Sequence, residues 1–275
     1  MDSYALIDFG DGRKLERFGS VVLDRVSPAA IDTQRINADW SEADLRLDER
    51  GEVLSGSLKV GNWTVEIADI RFKLRVTPFG HVGVFPEQLA NWRWLQSLRN
   101  DRSEHVSPRL ALNLFAYTGG STLALAQAGF QVVHVDASAP SVKWARENAS
   151  SNGLDEHPVR WIVEDARKFT AREVKRKRRY DLIVLDPPSF GHGPGGHRWE
   201  IEHDLFPLLE NCLGILHEGG KILLTAHSVT PSPEEIVAWL APQLRDSGRV
   251  HSKRLSIPDR SHRQLDCGFC VRVET

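Results

Sequence analysis

From Arg109 onward the chain alternates short apolar runs with segments of helical spacing. That alternation restricts it to a mostly parallel sheet joined by crossover helices. The runs are Leu110 to Leu114, Val132 to Val135, Val159 to Val163, Leu182 to Leu185 and Ile222 to Thr225, with further strands expected at Val250 to Ile257 and Cys267 to Val273. They predict a doubly wound, seven-stranded α/β sheet. Between the second and third runs, Ser138 is placed to cap a helix with Pro140 in its first turn and Gly153 just past its end.

The first hundred residues read differently. Tyr4 to Phe9 and Ser20 to Asp24 flank the turn signal Gly10-Asp11-Gly12 and suggest a hairpin. Glu52 to Val60 and Trp63 to Ala68 are joined through Gly61-Asn62, and Phe72 to Thr77 and His81 to Phe85 through Pro78-Phe79-Gly80. Leu89, Trp92, Leu95 and Leu98 have the spacing of an amphipathic helix between Glu87 and Asn100. The expected organisation is a small β-rich module over residues 1–71, a connecting hairpin and helix over 72–108, and the α/β domain over 109–275.

In an open α/β sheet, ligands bind beyond the carboxyl ends of the strands, so the residues that follow each apolar run carry the chemistry. After the first run comes Phe115-Ala116-Tyr117-Thr118-Gly119-Gly120, in which small residues allow the backbone to approach a ligand closely. At the end of the second stands Asp136, followed by Ala137. A carboxylate there can accept both hydroxyls of a ribose, each such bond contributing roughly 1.5 to 3 kcal/mol. The competing role, a helix cap, is already supplied by Ser138. The third run ends in Glu164-Asp165-Ala166, where a carboxylate or its backbone can meet an adenine ring and where a helix cap accounts for Asp165 equally well. The fourth ends in Asp186-Pro187-Pro188-Ser189-Phe190. Two prolines fix their dihedrals and donate no N–H, so the strand end can turn carbonyl oxygens into a pocket. Asp186 offers an acceptor beside them and Phe190 a flat apolar face, which suits an amino group or a heteroaromatic ring. A nicotinamide-dependent oxidoreductase would also place an acidic residue after its second strand, but the G-x-G-x-x-G spacing that holds a pyrophosphate is missing.

These four segments resemble motifs I to IV of the class I S-adenosylmethionine-dependent methyltransferases. They are most similar to the bacterial family that includes 23S ribosomal RNA methyltransferases, in which a Phe-x-Tyr-Thr-Gly-Gly turn accompanies Asp-Pro-Pro-Lys/Ser-Phe. The resemblance extends over roughly Phe72 to Val273, because Gly83-Val84-Phe85-Pro86-Glu87-Gln88 is similar to that family's approach to its first core strand. It implies a Rossmann-like methyltransferase sheet with S-adenosyl-L-methionine as cofactor and no metal. Phe115, Ala116, Tyr117, Thr118, Gly119 and Gly120 would hold its methionine part, Asp136 and Ala137 the ribose side, and Asp165 and Ala166 the adenine. Asp186, Pro187, Pro188 and Phe190 would form the catalytic acceptor motif, with Asp186 also facing the cofactor.

Members with the ribosomal activity often begin with a PUA-type RNA-binding domain, which the first 70 residues do not match. Cytosine-C5 members carry a cysteine nucleophile after the fifth strand. The corresponding segment here is Thr225-Ala226-His227-Ser228, so transfer to nitrogen or oxygen is expected, with His227 either a base near the pocket or structural. The acceptor would be RNA, ribosomal RNA first, or else a small molecule. A non-catalytic RNA-binding module is the more remote alternative.

Composition narrows the rest. A formal charge of −2 with a pI near 6.6 excludes nucleic-acid binding through bulk positive charge, so any such contact must be local. One candidate is the run Arg172, Lys175, Arg176, Lys177, Arg178 and Arg179, readable as a phosphate-binding patch or as a solvated helix end. Cys212, Cys267 and Cys270 are too few for a disulfide framework, and the Cys267-Gly-Phe-Cys270 pair lacks the second pair a zinc site needs. Gly191 to Arg198, directly after the acceptor motif, reads as a lid or as a solvated loop. No apolar run reaches the roughly 18 residues of a membrane span, and the acidic start does not read as a signal peptide, so a cytoplasmic location is expected.

Overall fold

The computed structural model describes residues 3–36, 39–58, 61, 63–78, 80–100, 109–192, 198–228, 230–244 and 248–275. The chain divides into two compact units. One comprises Met1–Ala90 with Leu255–Cys267, the other Asn91–Arg254 with Gly268–Thr275. This grouping differs from the sequence-based division at residues 71 and 108, because the last two strands contribute residues to both units.

In the first unit, β1 (Tyr4–Gly10), β2 (Arg13–Phe18), β3 (Val21–Val26), β4 (Leu45–Leu47) and β5 (Val53–Gly56) form one sheet in chain order. A separate hairpin consists of β6 (Trp63–Ile67) and β7 (Ile70–Leu74). The Gly10 to Gly12 signal does make a hairpin. Gly10 pairs with Arg13, and Asp11 and Gly12 take φ of 52° and 71°, the type I′ geometry that matches strand twist.

The partner of β1, however, is β2 rather than Ser20 to Asp24, which belongs to β3. Arg13-Lys-Leu-Glu-Arg-Phe18 looks too charged for an inner strand, yet Glu16 is fully buried because Arg25 Nε and the Tyr4 hydroxyl both bond it, at 2.8 and 2.9 Å. The expected pairing of Glu52 to Val60 with Trp63 to Ala68 also does not form. β5 pairs with β4, and β6 pairs with β7 through Ala68-Asp69, whose φ values of 53° and 56° again make a type I′ turn. Residues 59, 60, 62 and 79 lie outside the described residues. Beyond β7, Arg75 N–H and Thr77 N–H donate to Val82 and His81 carbonyls at 3.3 and 2.9 Å without extending the strand ladder.

The second unit begins inside α1 (Leu89–Ser97), which has a 3₁₀ turn on either side and falls in the expected helical segment. Then follow β8 (Leu110–Leu114), α2 (Gly120–Gln127), β9 (Gln131–Asp136), α3 (Ala139–Ser151), β10 (Val159–Val163), α4 (Ala166–Lys175) and β11 (Tyr180–Leu185). The hairpin β12 (Phe190–His192) and β13 (Arg198–Glu200) leads to α5 (Ile201–Gly214), β14 (Leu216–Ala226), α6 (Pro233–Leu240), β15 (Arg249–Pro258) and β16 (Gln264–Glu274). Seven strands, the number the apolar runs predict, form one sheet in the order β10-β9-β8-β11-β14-β16-β15. β8 to β11 and β14 are mutually parallel, and β16 runs antiparallel to β14.

Inside the sheet the runs are mostly apolar because helices cover the strands, while the edge strand β10 carries Arg160 and no buried residue. Leu112, Leu114, Ile183 and Leu185 join Phe169 of α4, Leu205 and Leu208 of α5 and Ile236 of α6 in one buried cluster. Ser138 caps α3 as predicted, its hydroxyl accepting the Ser141 N–H at 3.3 Å.

Candidate active site

The chain runs outward from β8 to β9 and β10, then returns to lay β11 on the other side of β8. Connections therefore leave β8 and β11 in opposite directions, opening a crevice at their carboxyl ends where ligands of such sheets bind. Leu114 and Leu185 are register partners at the end of this pair. Consequently the turn beginning at Phe115 and the turn beginning at Asp186 start side by side.

The first turn is conformationally costly. Phe115 and Tyr117 adopt φ of 53° and 47°, which non-glycine residues rarely take, and Gly119 follows at 91°. Such strain is on the order of 1 to 3 kcal/mol per residue and persists only where surroundings impose it. Here the restraints are visible. Ala116 N–H donates to the Val135 carbonyl at 3.1 Å, and Asn148 Nδ2 donates to the Thr118 carbonyl at 2.9 Å. Tyr117 N–H donates to Asp136 Oδ2 at 2.7 Å. A Cβ on Gly119 would stand 3.1 Å from the Ala145 Cβ, so its helix packs closely on α3.

Gly120 has another cause than ligand approach. A Cβ there would meet Cζ2 of Trp92 at 2.5 Å, so the indole of α1 occupies the missing side chain's place. The Trp92 indole N–H also donates to the Ser121 hydroxyl at 3.3 Å.

Asp136, half-buried at the end of β9, accepts the Tyr117 N–H on one oxygen and the Ser138 N–H, at 2.8 Å, on the other. It thus caps the next helix alongside Ser138 while staying at the strand end. Burial raises its carboxyl above the ordinary value, and the two N–H donors oppose that rise. Asp165 is committed further. Its Oδ1 accepts the Arg167 and Lys168 N–H groups at 2.8 and 3.3 Å, and its Oδ2 pairs with the Arg167 guanidinium at 2.8 Å. Burial alone would raise its carboxyl, but the Arg167 and Lys168 donors outweigh it and hold it below the ordinary value. Of the two readings left open for Asp165, the structure displays the helix cap, and Ala166 beside it is buried at the start of α4.

In the second turn, Asp186 Oδ1 accepts the Thr225 hydroxyl of β14 at 2.5 Å. Pro187 is buried, Pro188 and Ser189 are exposed, and Phe190 is 45% exposed. The hairpin β12–β13 follows at once. Its register pairs Phe190 with Glu200 and Gly191 with Trp199, so strand alternation puts Phe190 and Arg198 on one face and Trp199 on the other. Trp199 is buried, donates its indole N–H to the Pro188 carbonyl at 2.7 Å and meets the Phe115 ring edge-on at 4.8 Å. On the opposite face, the Arg198 guanidinium stands 4.6 Å from the Phe190 ring centre. Residues 193–197 of the glycine-rich stretch lie outside the described residues. His227 is exposed just beyond β14.

Several of these contributors leave no signal in the sequence. Trp92 and Trp199 were invisible as partners because nothing in their spacing links them to Gly120 or Pro188. A buried chain of Asn113, Thr122 and His134, with 2.9 Å between successive polar atoms, also ties β8, α2 and β9 together beneath the turn. The thiols are buried or half-buried, and Cys270 is the register partner of Thr225. Burial pushes the Cys212 and Cys267 thiols up to about 12, and Cys270 is raised for the same reason. Among the described residues no group of three or more His, Cys, Asp or Glu side chains is placed to hold a metal. No helix of the described residues is long and apolar enough to cross a membrane.

Comparison with known proteins agrees with this architecture. Residues 26–251 match the family model described as S-adenosylmethionine-dependent methyltransferase. The crystal structure of the SAM-dependent methyltransferase from Agrobacterium tumefaciens superimposes with a TM-score of 0.90 at 35% identity, covering 99% of this chain and 90% of that one. Among curated relatives, ribosomal RNA large subunit methyltransferase K/L of Methylococcus capsulatus is 32% identical over 165 residues, which is 59% of this chain and 21% of the relative. Ribosomal RNA large subunit methyltransferase I of Aeromonas salmonicida is 31% identical over 145 residues, 52% of this chain and 35% of the relative. The chain thus spans a minor part of either curated relative. A switch-point crevice between two shaped turns, a carboxylate at the end of the neighbouring strand and a family match over most of the length lead to one conclusion: this chain belongs to the S-adenosylmethionine-dependent methyltransferase family.

Proposed function

We propose that the enzyme transfers the methyl group of S-adenosylmethionine to a nitrogen or oxygen of RNA, with large-subunit ribosomal RNA as the first candidate. The observation that carries the RNA reading is the outward face of β12–β13. A half-exposed Phe190 offers a base a flat surface, and the Arg198 guanidinium stacked beside it, paired with Glu200 at 2.7 Å, would meet a phosphate by exchanging that partner. The named activities of the curated relatives support the same acceptor. The segment Thr225-Ala226-His227-Ser228 holds no thiol, which favours nitrogen or oxygen over cytosine C5. A ribosomal acceptor implies work in the cytoplasm. A small-molecule acceptor is the second reading, supported by the same crevice if Phe190 receives a lone heteroaromatic ring.

The residues present fit the cofactor. Each Asp136 oxygen accepts one backbone N–H, and a carboxylate oxygen has a second lone pair for a ribose hydroxyl. The strained Phe115 to Gly120 turn would receive the methionine part. With the Asp165 carboxylate occupied by Arg167, the adenine would meet Ala166 and the backbone there. Bound in this way, the sulfonium supplies an intrinsically reactive methyl group. The protein's share is alignment, in which Asp186 and the Pro187-Pro188 carbonyls hold the acceptor while Phe190 stacks on its ring. Such positioning can supply roughly 7 to 11 kcal/mol of a barrier.

The test is transfer of tritium from methyl-labelled S-adenosylmethionine to total cell RNA and, separately, to a small-molecule extract. Label in large-subunit RNA is expected. Label confined to the small-molecule fraction would refute the RNA acceptor, and no calorimetric binding at millimolar cofactor would refute the site.

A further inference from the structure

At the far end of α4 the exposed run Lys175-Arg176-Lys177-Arg178-Arg179 precedes β11 in a protein whose net charge is −2. Part of the run has an internal explanation. Arg172 pairs with Glu164, Arg176 with Glu173 at 3.1 Å, and Lys175 lies in the last helical turn, where a cation complements the helix dipole. Lys177, Arg178 and Arg179 lie beyond the helix. Among the described residues no carboxylate pairs with any of them.

Lys177 is the telling position. Arg178 N–H donates to the Glu173 carbonyl at 3.1 Å and Lys177 N–H to the Val174 carbonyl at 3.0 Å, the two bonds of a Schellman motif. The residue after the cap in that motif takes a left-handed conformation and is usually glycine, yet here it is Lys177 at φ 53°. A lysine at a position made for glycine breaks a local rule, and among the described residues its ammonium has no hydrogen-bond or ion-pair partner. Such departures mark positions held for another purpose. The surface nearby is shaped as well as charged. Arg178 and Arg160 line one open groove with Tyr180, Pro158 and Gln131, at the amino ends of the strands. That end lies opposite the acceptor turn, roughly 20 Å away along β11 at about 3.3 Å per residue.

We propose that Lys177, Arg178 and Arg179, with Arg160 across the groove, form a second RNA contact that binds backbone phosphates remote from the methylated nucleotide. The inference rests on the RNA reading above and deepens it, since a contact so distant serves a structured RNA and is idle for a mononucleotide. Phosphates held here would fix the register of the RNA, leaving β12–β13 to receive the base.

Lys177→Gly separates binding from folding, because glycine suits the backbone better than the residue it replaces. The variant is expected to melt at the same temperature as wild type or higher, and to bind S-adenosylmethionine unchanged. Its affinity for deproteinised large-subunit RNA should fall roughly tenfold at 0.1 M salt, and the slope of log affinity against log salt should become shallower by about one. The double variant Arg178→Gln, Arg179→Gln should do the same more strongly. Unchanged affinity and slope in both variants, with wild-type enzyme still binding and methylating RNA, would overturn this proposal alone. Wild-type enzyme that binds no RNA would overturn it together with the RNA reading. Equal competition by inorganic phosphate at matched ionic strength would also overturn it, since a multi-phosphate contact gains little from a lone anion.

Discussion

His134 is a buried base that the fold keeps neutral, and the consequence can be measured. Its ring is fully buried on β9, with Nδ1 2.9 Å from the Thr122 hydroxyl and Nε2 without a hydrogen-bond partner among the described residues. Burial first, and repulsion from Arg146 second, lower it from the ordinary 6.5 to about 3. Because the folded value lies below the unfolded one, the unfolded chain binds the extra proton between them. Stability is therefore complete above about pH 6.5 and declines as the pH falls toward 3. Well below pH 6.5 the loss approaches about 1.4 kcal/mol per pH unit, and between pH 8 and pH 5 it integrates to about 2 kcal/mol. The perturbation is His134→Phe, which keeps a ring in the core and removes the titration. Urea unfolding of both proteins at pH 8 and pH 5 isolates the residue, since all other ionisable groups cancel in the comparison. The variant starts less stable, having lost the bond to Thr122, but wild type should lose about 2 kcal/mol more on acidification. Equal losses would show that His134 ionises freely in the fold and that its burial has been misjudged.

Three further outcomes test the site itself. Asp136→Ala should weaken S-adenosylmethionine binding by one to two orders of magnitude, measured calorimetrically, because a charged acceptor is lost. Gly120→Ala forces a methyl group to within 2.5 Å of the Trp92 ring and should destabilise by about 1 to 3 kcal/mol, an effect largely relieved by adding Trp92→Leu. Trp199→Phe removes the N–H that holds the Pro188 carbonyl while leaving a ring against Phe115, so kcat should fall several-fold in methyl-transfer assays while the cofactor Kd stays within about twofold.

The α/β sheet was legible because strands inside a parallel sheet are mostly apolar, which made Leu110 to Leu114 readable to the residue, and the edge strand Val159 to Val163 kept enough of that character to be read despite Arg160. The small β unit was less so, since its inner strand β2 depends on Glu16 being neutralised by Arg25, and a charged hexapeptide carries no trace of that partner. The Ala68-Asp69 turn is hidden for a related reason. Its positive φ values are held by the two strands on either side, without the glycine or asparagine that announces such a turn. At the site, residue types at strand ends located both turns and Asp136. What could not be read was which side chain occupies whose space. Gly120 reads as room for a ligand, yet the place of its missing side chain is taken by Trp92, 28 positions earlier in the chain. Asp165 likewise could not be separated from a cap before Arg167 was seen closing on it.

The first compact unit is completed by Leu255–Cys267. Arg263, from that late segment, pairs with Asp8 on β1 and donates to the Phe9 carbonyl at 3.1 Å, while Ile257 and Leu265 pack against Leu6 and Phe9. During translation the opening strands therefore emerge with a carboxylate still lacking its cation, and they wait for Arg263, 255 residues farther along the chain, before the unit can close. A fragment cut at Ala90 would inherit the same deficit permanently, so dissecting this enzyme into separately expressed halves would require grafting the returning segment back onto the first.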